Sequence, residues 1–256
     1  MSGRGGEAEI TPAIVLRTRP LGEADLLVVL LTPSGKVEAA ATHARASKRR
    51  FSGGIHVGAR GEATLSRGRG ALLRLGAFEP LVCSGAIGQD LERFAFVAYV
   101  CEVTDELLAG REDDPRPFAA LTTTLEALVS GAPQPAELRR FELALLDSLG
   151  LLPALDRCCV CGLGLSGPLV AFDGGRGGAL CPAHDFGAAE VEGSALALAR
   201  ELLLSGSAVA ALAAAPAPIR RALRDLCAGL VRAHLRRPLR SLAFLAQLPR
   251  PAVNPG

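Results

Sequence analysis

Over the first eighty residues the apolar positions come in short runs broken by turn-forming residues. "AIVLRTR", residues 13–19, is a β-branched run, and "ADLLVVLLT", residues 24–32, is a longer apolar one that stops at Pro33. "PSGK" reads as a turn, and "VEAAATHA" leads out of it. After a basic stretch, "VGARGEATLS" and "ALLRLGAFEPL" stand either side of "RGRG". Five short strands joined by glycine-rich turns predict a small barrel or sandwich. Five is also the strand count of the OB-fold, a partly open Greek-key barrel.

Past Cys83 the spacing of apolar residues becomes helical. "DLERFAFVAYVCEVTDELL" contains neither Gly nor Pro, and "RPFAALTTTLEALVSG" ends at Gly131, a predicted C-cap. In "PAELRRFELALLDSLG", Leu138, Phe141, Leu145 and Leu149 fall on one face before Gly150, with Glu142 and Asp147 off that stripe. Later, "SALALARELLLSG" opens on Ser194 as a predicted N-cap. "IRRALRDLCAGLVRAHLRR" places Ile219, Leu223, Leu226 and Leu230 on one face. Strands therefore come first and helices follow, which is an α+β arrangement rather than alternating α/β. The predicted architecture is a five-stranded OB-fold barrel over residues 1–82, then a helical domain over 83–156 and 187–256. A metal-binding module over 157–186 interrupts the helices.

That module, "RCCVCGLGLSGPLVAFDGGRGGALCPAH", carries the most specific chemistry in the chain. Cys158 and Cys161 form C-x-x-C, and Cys181 and His184 form C-x-x-H about twenty residues later. Two tight turns at this spacing can present four soft ligands tetrahedrally, which suits zinc. Four protein ligands leave no open position for a catalytic water, so the predicted zinc is structural. Cys159 is the neighbour left out of that spacing. The competing readings are free thiols in a loop and a redox C-x-x-C, but the surroundings lack a thioredoxin-like βαβ pattern. "GLGLSG" matches G-x-G-x-x-G but lacks the preceding strand and following helix of a dinucleotide site.

Composition narrows the field without naming a partner. Apolar residues make up 49% of 256 and charged residues 21%, a globular balance, and the formal net charge is +2. That charge is too small to imply a polyanion by itself. The only lysines are Lys36 and Lys48, and the other basic residues are arginines. The start of the chain lacks the apolar core of a secretory signal, and no apolar run reaches the ~18 residues of a membrane span. A cytoplasmic protein with no membrane partner is expected, its seven cysteines being thiols rather than disulfides.

Local concentrations of arginine say more than the total. "HARASKRRFSGG" gathers Arg45, Lys48, Arg49 and Arg50; "SRGRG" adds Arg67 and Arg69; Arg17 and Arg19 close the first strand. Three basic turns on one small barrel suggest a surface that tracks a phosphate backbone, against the alternative of solvated loops. Aromatics are scarce, with nine Phe, one Tyr and no Trp, and Phe51 is the one stacking candidate beside the basic run. Helical arginines form a second set: Arg139, Arg140, and then Arg220, Arg221, Arg224 and others. Beside an apolar stripe, such arginines suit an acidic peptide ending in an apolar side chain. Catalytic motifs for nucleotide, zinc-protease or serine-hydrolase chemistry are missing, and His43, His56 and His234 are scattered. No enzymatic activity is expected.

Three stretches together resemble the RecO family of bacterial recombinational-repair proteins. They are "AIVLRTRPLGEADLLVVLLTPSGKVEAAATHARASKRRFSGG", "RRFELALLDSLGLLPALDRCCVCG" and "RRPLRSLAFLAQL". The resemblance implies an OB-fold, a helical domain and a zinc module. It implies binding of single- and double-stranded DNA, annealing of complementary strands, and joint action with RecR in loading RecA onto strands coated by single-strand-binding protein. It also implies recognition of that coating protein's acidic C-terminal tail, for which Arg139 and Arg140 are the candidates, and a nucleoid-associated location. "CPAH" departs from the second C-x-x-C of many relatives, with His184 in place of the fourth cysteine. The alternative class is a zinc-containing adaptor that docks proteins without touching DNA.

Overall fold

The computed structural model describes residues 8–44, 47, 49–51, 54–68, 70, 72–81, 90–108 and 113–248. The chain separates into two compact units, Met1–Pro133 with Arg237–Gly256, and Gln134–Arg236. Helical residues read as one domain thus fall into both units, because some helices bury their apolar faces on the barrel and others on one another.

The first unit is built on five strands: β1 (Glu9–Pro20), β2 (Leu26–Thr32), β3 (Gly35–Ala41), β4 (Arg60–Ser66) and β5 (Leu73–Pro80). They close in the order β1-β2-β3-β5-β4, every pairing antiparallel except β3 with β5. This is the five-stranded OB-like barrel expected from the sequence. Its core takes alternate residues, Ala13 and Val15 from β1 and Val28 and Leu30 from β2, with Leu75 and Phe78 from β5. The intervening Ile14, Leu16, Val29 and Leu31 are buried as well. These two strands are covered on both faces, so their sequences read as unbroken apolar runs instead of alternating ones.

Part of the outer cover is α1 (Leu91–Leu107), which packs on β1. Asp90 caps it, its carboxylate accepting from the amides of Glu92 and Arg93 at 3.0 and 3.1 Å. Gly58 lies where barrel and helix meet, with φ +81° and its nitrogen bonded to the Val15 carbonyl at 2.8 Å. A Cβ there would stand 2.3 Å from Val97 Cγ1, so both backbone and space demand glycine. Near the far end of α1, the buried Asp105 carboxylate accepts from Arg17 Nε at 2.6 Å and Lys36 Nζ at 3.3 Å. One acidic side chain thus ties the helix to two strands. The unit is completed by α2 (Arg116–Ser130), which packs on α1, and α7 (Arg240–Leu245). Glu102 holds the start of α7, accepting from the amides of Arg240 and Ser241 at 3.0 and 2.8 Å.

The second unit contains α3 (Pro135–Ser148), α4 (Gly193–Leu204), α5 (Ala208–Ala214) and α6 (Ala217–His234). Leu138, Phe141 and Leu145 are buried as their spacing predicts, and Gly150 takes a left-handed φ of +67° just past the helix. On α6 the buried stripe is Leu223, Leu226, Cys227, Leu230 and Val231. Ile219, expected on that stripe, is only partly buried in the first turn. Gly131 caps α2 as expected, in an extended conformation, whereas Ser194 lies inside the first turn of α4, with Glu192 at the cap position and no side-chain bond there. Between α3 and α4 runs a three-stranded antiparallel sheet of order β7-β6-β8, with β6 (Leu169–Asp173), β7 (Gly178–Leu180) and β8 (Ala189–Glu192).

Removing the Asp105 carboxylate leaves two cations without their shared partner. Asp105→Ala is expected to lower unfolding free energy by about 3 kcal/mol, read from the denaturant midpoint, with α1 retained by circular dichroism.

Candidate metal centre and basic surfaces

The metal-ligand candidates are brought together by two turns. After Arg157 bridges to Gly164, the amide of Cys158 bonds the Leu163 carbonyl at 2.7 Å and that of Gly162 bonds the Cys158 carbonyl at 2.8 Å. This closes a knuckle that presents Cys158 and Cys161. The second pair stands where β7 ends: Cys181 precedes a short 3-10 turn, Pro182–His184, whose last amide bonds the Cys181 carbonyl at 2.8 Å. Gly178, at φ +128°, lets β7 lie against Ala154, since an added Cβ would meet the Ala154 carbonyl oxygen at 2.2 Å.

The four donor atoms lie within 4.8 Å of one another. Cys161 Sγ is 3.8 Å from Cys181 Sγ, and His184 Nδ1 is 3.2 Å from Cys181 Sγ and 3.6 Å from Cys158 Sγ. Metal–sulfur bonds of roughly 2.3 Å in a tetrahedron put ligand atoms roughly 3.8 Å apart, so the donors are spaced as a single ion requires. Burial of the Cys158 thiol favours its protonated form, but the backbone amides of Cys161, Cys181 and Val160 outweigh it and bring its pKa down to about 6. A thiolate is thus available at neutral pH. Cys159 is turned away, with its sulfur 3.5 Å from the Arg176 carbonyl oxygen.

The apolar cluster here is only Cys158, Leu180 and Cys181 with four partly buried neighbours, Cys159, Leu165, Ala171 and Ala188. So small a core needs a cross-link to hold its shape. "GLGLSG" runs through the knuckle and has neither strand before it nor helix after it.

A basic groove lies elsewhere in the second unit. Arg139 of α3 and Arg220, Arg221 and Arg224 of α6 border a cavity of about 470 Å³ that includes Ala136 and Leu212. Arg139 donates to the fully buried Glu142 at 2.8 Å. Arg140 points to Glu137 at 3.0 Å and does not line the groove.

Two family models divide this architecture between them. Residues 8–82 match Recombination protein O N terminal, and residues 88–243 match Recombination protein O C terminal. The chain belongs to the RecO family. Among its relatives is the DNA repair protein RecO of Anaeromyxobacter sp. (strain K), 37% identical over 240 residues, covering 92% of this chain and 94% of the relative. The DNA repair proteins RecO of Myxococcus xanthus and Geobacter sulfurreducens are 36% and 35% identical, each alignment covering 92% of this chain and 96% of the relative.

In this RecO-family barrel the basic residues singled out from sequence differ in availability. Arg19, Arg49 and Arg67 are exposed. The loops that carry Arg49 and follow Arg19 are joined by a 2.7 Å bond from the His43 amide to Asp25. Arg17 is engaged by Asp105 and stands 3.7 Å from Glu38. Arg50 is spent inside its loop, donating to Ser47 and the Thr42 carbonyl and lying over the Phe51 ring. Arg45, Lys48 and Arg69 lie outside the described residues. Phe51 itself is 3% exposed and part of the barrel core, which corrects its reading as a stacking residue. Arg220, Arg221 and Arg224 were visible in sequence only as one helix's charged flank. Nothing there revealed that α3 and α5 turn this flank into a groove wall. No helix among the described residues is long and apolar enough to cross a membrane.

The ligand set is tested by metal stoichiometry. The protein is expected to carry one divalent ion per chain by elemental emission. Cys181→Ala should abolish this, Cys159→Ser should leave it intact, and metal removal should lower Tm.

Proposed function

We propose that this RecO-family protein serves DNA repair and recombination as a mediator that binds single- and double-stranded DNA. It anneals complementary strands and, with RecR, helps load RecA onto DNA coated by single-strand-binding protein. The observation that carries this reading is an OB-like barrel, within a RecO N-terminal match, that offers Arg19, Arg49 and Arg67 to solvent. Phosphate neutralisation on two strands at once lowers their repulsion. With Phe51 buried, no aromatic beside these loops holds the bases, and their edges stay free to pair.

The protein has no catalytic step of its own in this reading, and acts in the cytoplasm at the nucleoid. The ion at Cys158, Cys161, Cys181 and His184 is zinc, which suits three thiolates and an imidazole in a closed tetrahedral site. Its role is to hold the module together. The basic groove bordered by Arg139, Arg220, Arg221 and Arg224 is the place for the acidic tail of single-strand-binding protein. Its arginines face the carboxylates, and Ala136 and Leu212 accept an apolar end.

An annealing assay tests the core of the proposal. Two complementary labelled oligonucleotides coated with single-strand-binding protein should pair faster with the protein at low salt. Arg19→Glu, Arg49→Glu and Arg67→Glu together should remove the acceleration. The same triple change should flatten the slope of log K against log salt for a single strand by about 2 units, at roughly 0.7 per phosphate contact. Unchanged affinity and slope in the triple variant would move DNA off the barrel. A protein that never accelerates annealing, yet still binds RecR, would be an adaptor. In parallel, Arg221→Glu should weaken binding of the acidic tail peptide without altering annealing of uncoated strands.

A further inference from the structure

A second groove borders α6, with the opposite charge. It has a volume of about 810 Å³ and is walled by α6 on one side and by β6 and β8 on the other. Phe172, Leu226 and Leu230 supply its apolar surface, and Glu190, Glu192 and Asp225 stand around it. Asp225 is paired with Arg224 at 2.8 Å. Glu190 and Glu192 are exposed, and neither has an ion pair among the described residues. Residues 157–192 carry four carboxylates, Asp173, Asp185, Glu190 and Glu192, against the two arginines Arg157 and Arg176. Asp173 is paired with Arg176 at 3.2 Å, so the groove's charge rests on Glu190 and Glu192, which favour a cationic ligand.

The backbone adds a second feature. β8 is the outer strand of the order β7-β6-β8, with a strand partner on one side only among the described residues. All four of its residues line the groove, so the strand borders the cavity along its whole length. An open strand edge beside an apolar cavity is the geometry used to accept an extended peptide as an added strand.

The opposite wall is low. Ala222, Gly229 and Ala233 bring the α6 backbone close to the cavity. Gly229 is exposed, and a Cβ added there would meet nothing within 4 Å. Glycine weakens a helix relative to alanine, and packing within this chain does not require it here. The space it leaves is usable by a ligand.

We propose that the groove between β8 and α6 docks an extended segment of a partner protein in which lysine or arginine alternates with apolar residues. The segment pairs along the edge of β8, places apolar side chains against Phe172, Leu226 and Leu230, and sets its cations beside Glu190 and Glu192. The metal module thereby acts as a protein-docking face, independently of where DNA binds.

The test uses the full-length protein and a fluorescein-labelled peptide of alternating lysine and leucine, KLKLKLK, followed by anisotropy. Saturable binding is expected, together with slowed hydrogen exchange at residues 189–192. Glu190→Lys with Glu192→Lys should weaken it more than about tenfold. Gly229→Leu should do the same by filling the groove while keeping every charge, and its Tm should not fall, since leucine is the better helix former. The alternating glutamate–leucine peptide should not bind. KLKLKLK binding that survives Gly229→Leu would be general charge attraction and would overturn the proposal. So would equal binding of the acidic peptide. A dimer in sedimentation that Gly229→Leu dissociates would assign the groove to a second copy of this chain, and would likewise overturn it.

Discussion

Burial of one apolar stripe, Leu223, Leu226, Cys227, Leu230 and Val231 on α6, organises the second unit. Satisfying it requires α3 and α4 on one helix face, and these contacts leave the two flanks of α6 turned toward its neighbours. One flank, with Arg220, Arg221 and Arg224, meets α3 and α5 and forms a basic groove. The other, with its small residues, meets the sheet of the metal module and forms an acidic one. A single amphipathic helix thus separates two grooves lined by charges of opposite sign. The separation follows from its 3.6-residue period.

The Cys3His group lies beside that arrangement. Beside the sheet that walls the acidic groove, the buried cluster is Cys158, Leu180 and Cys181, two of them members of the Cys3His group. The Cys3His group brings the first knuckle and the end of β7 together, where a bound ion would cross-link them. The fourth ligand reaches the others because a 3-10 turn places His184 three residues after Cys181. The Nδ1 of that histidine stands 3.2 Å from the Cys181 sulfur.

In the first unit the division of labour among basic residues is decided by packing. Arg17 and Lys36 neutralise Asp105, a carboxylate that could not remain buried without them. Arg50 supports its own loop. Arg19, Arg49 and Arg67 stay exposed, with no ion pair among the described residues. The modest net charge of the chain is therefore a poor guide to its surface, since several arginines are internal struts.

Short-range chemistry was legible in the sequence: five strands from turn spacing, the helices from apolar period, the C-x-x-C and C-x-x-H pairs from local geometry, and Gly150 closing α3. Each depends on residues a few positions apart, where backbone sterics and side-chain direction act directly. Phe51 was misread because its burial depends on strands tens of residues away. The cap at Ser194 was misread, since α4 already begins at Gly193 with Glu192 at the cap position. The roles of Arg17 and Arg139, and both grooves beside α6, belong to the tertiary structure alone. Pairing of Arg17 with Asp105 joins residues 88 apart, and the wall opposite Arg221 comes from helices that carry no mark of it. Local sequence determined which elements this protein has and which three cysteines and histidine gather in one cluster. Only the packed chain decided which charges are satisfied inside it and which remain for a partner, because that depends on which distant side chains share a desolvated space.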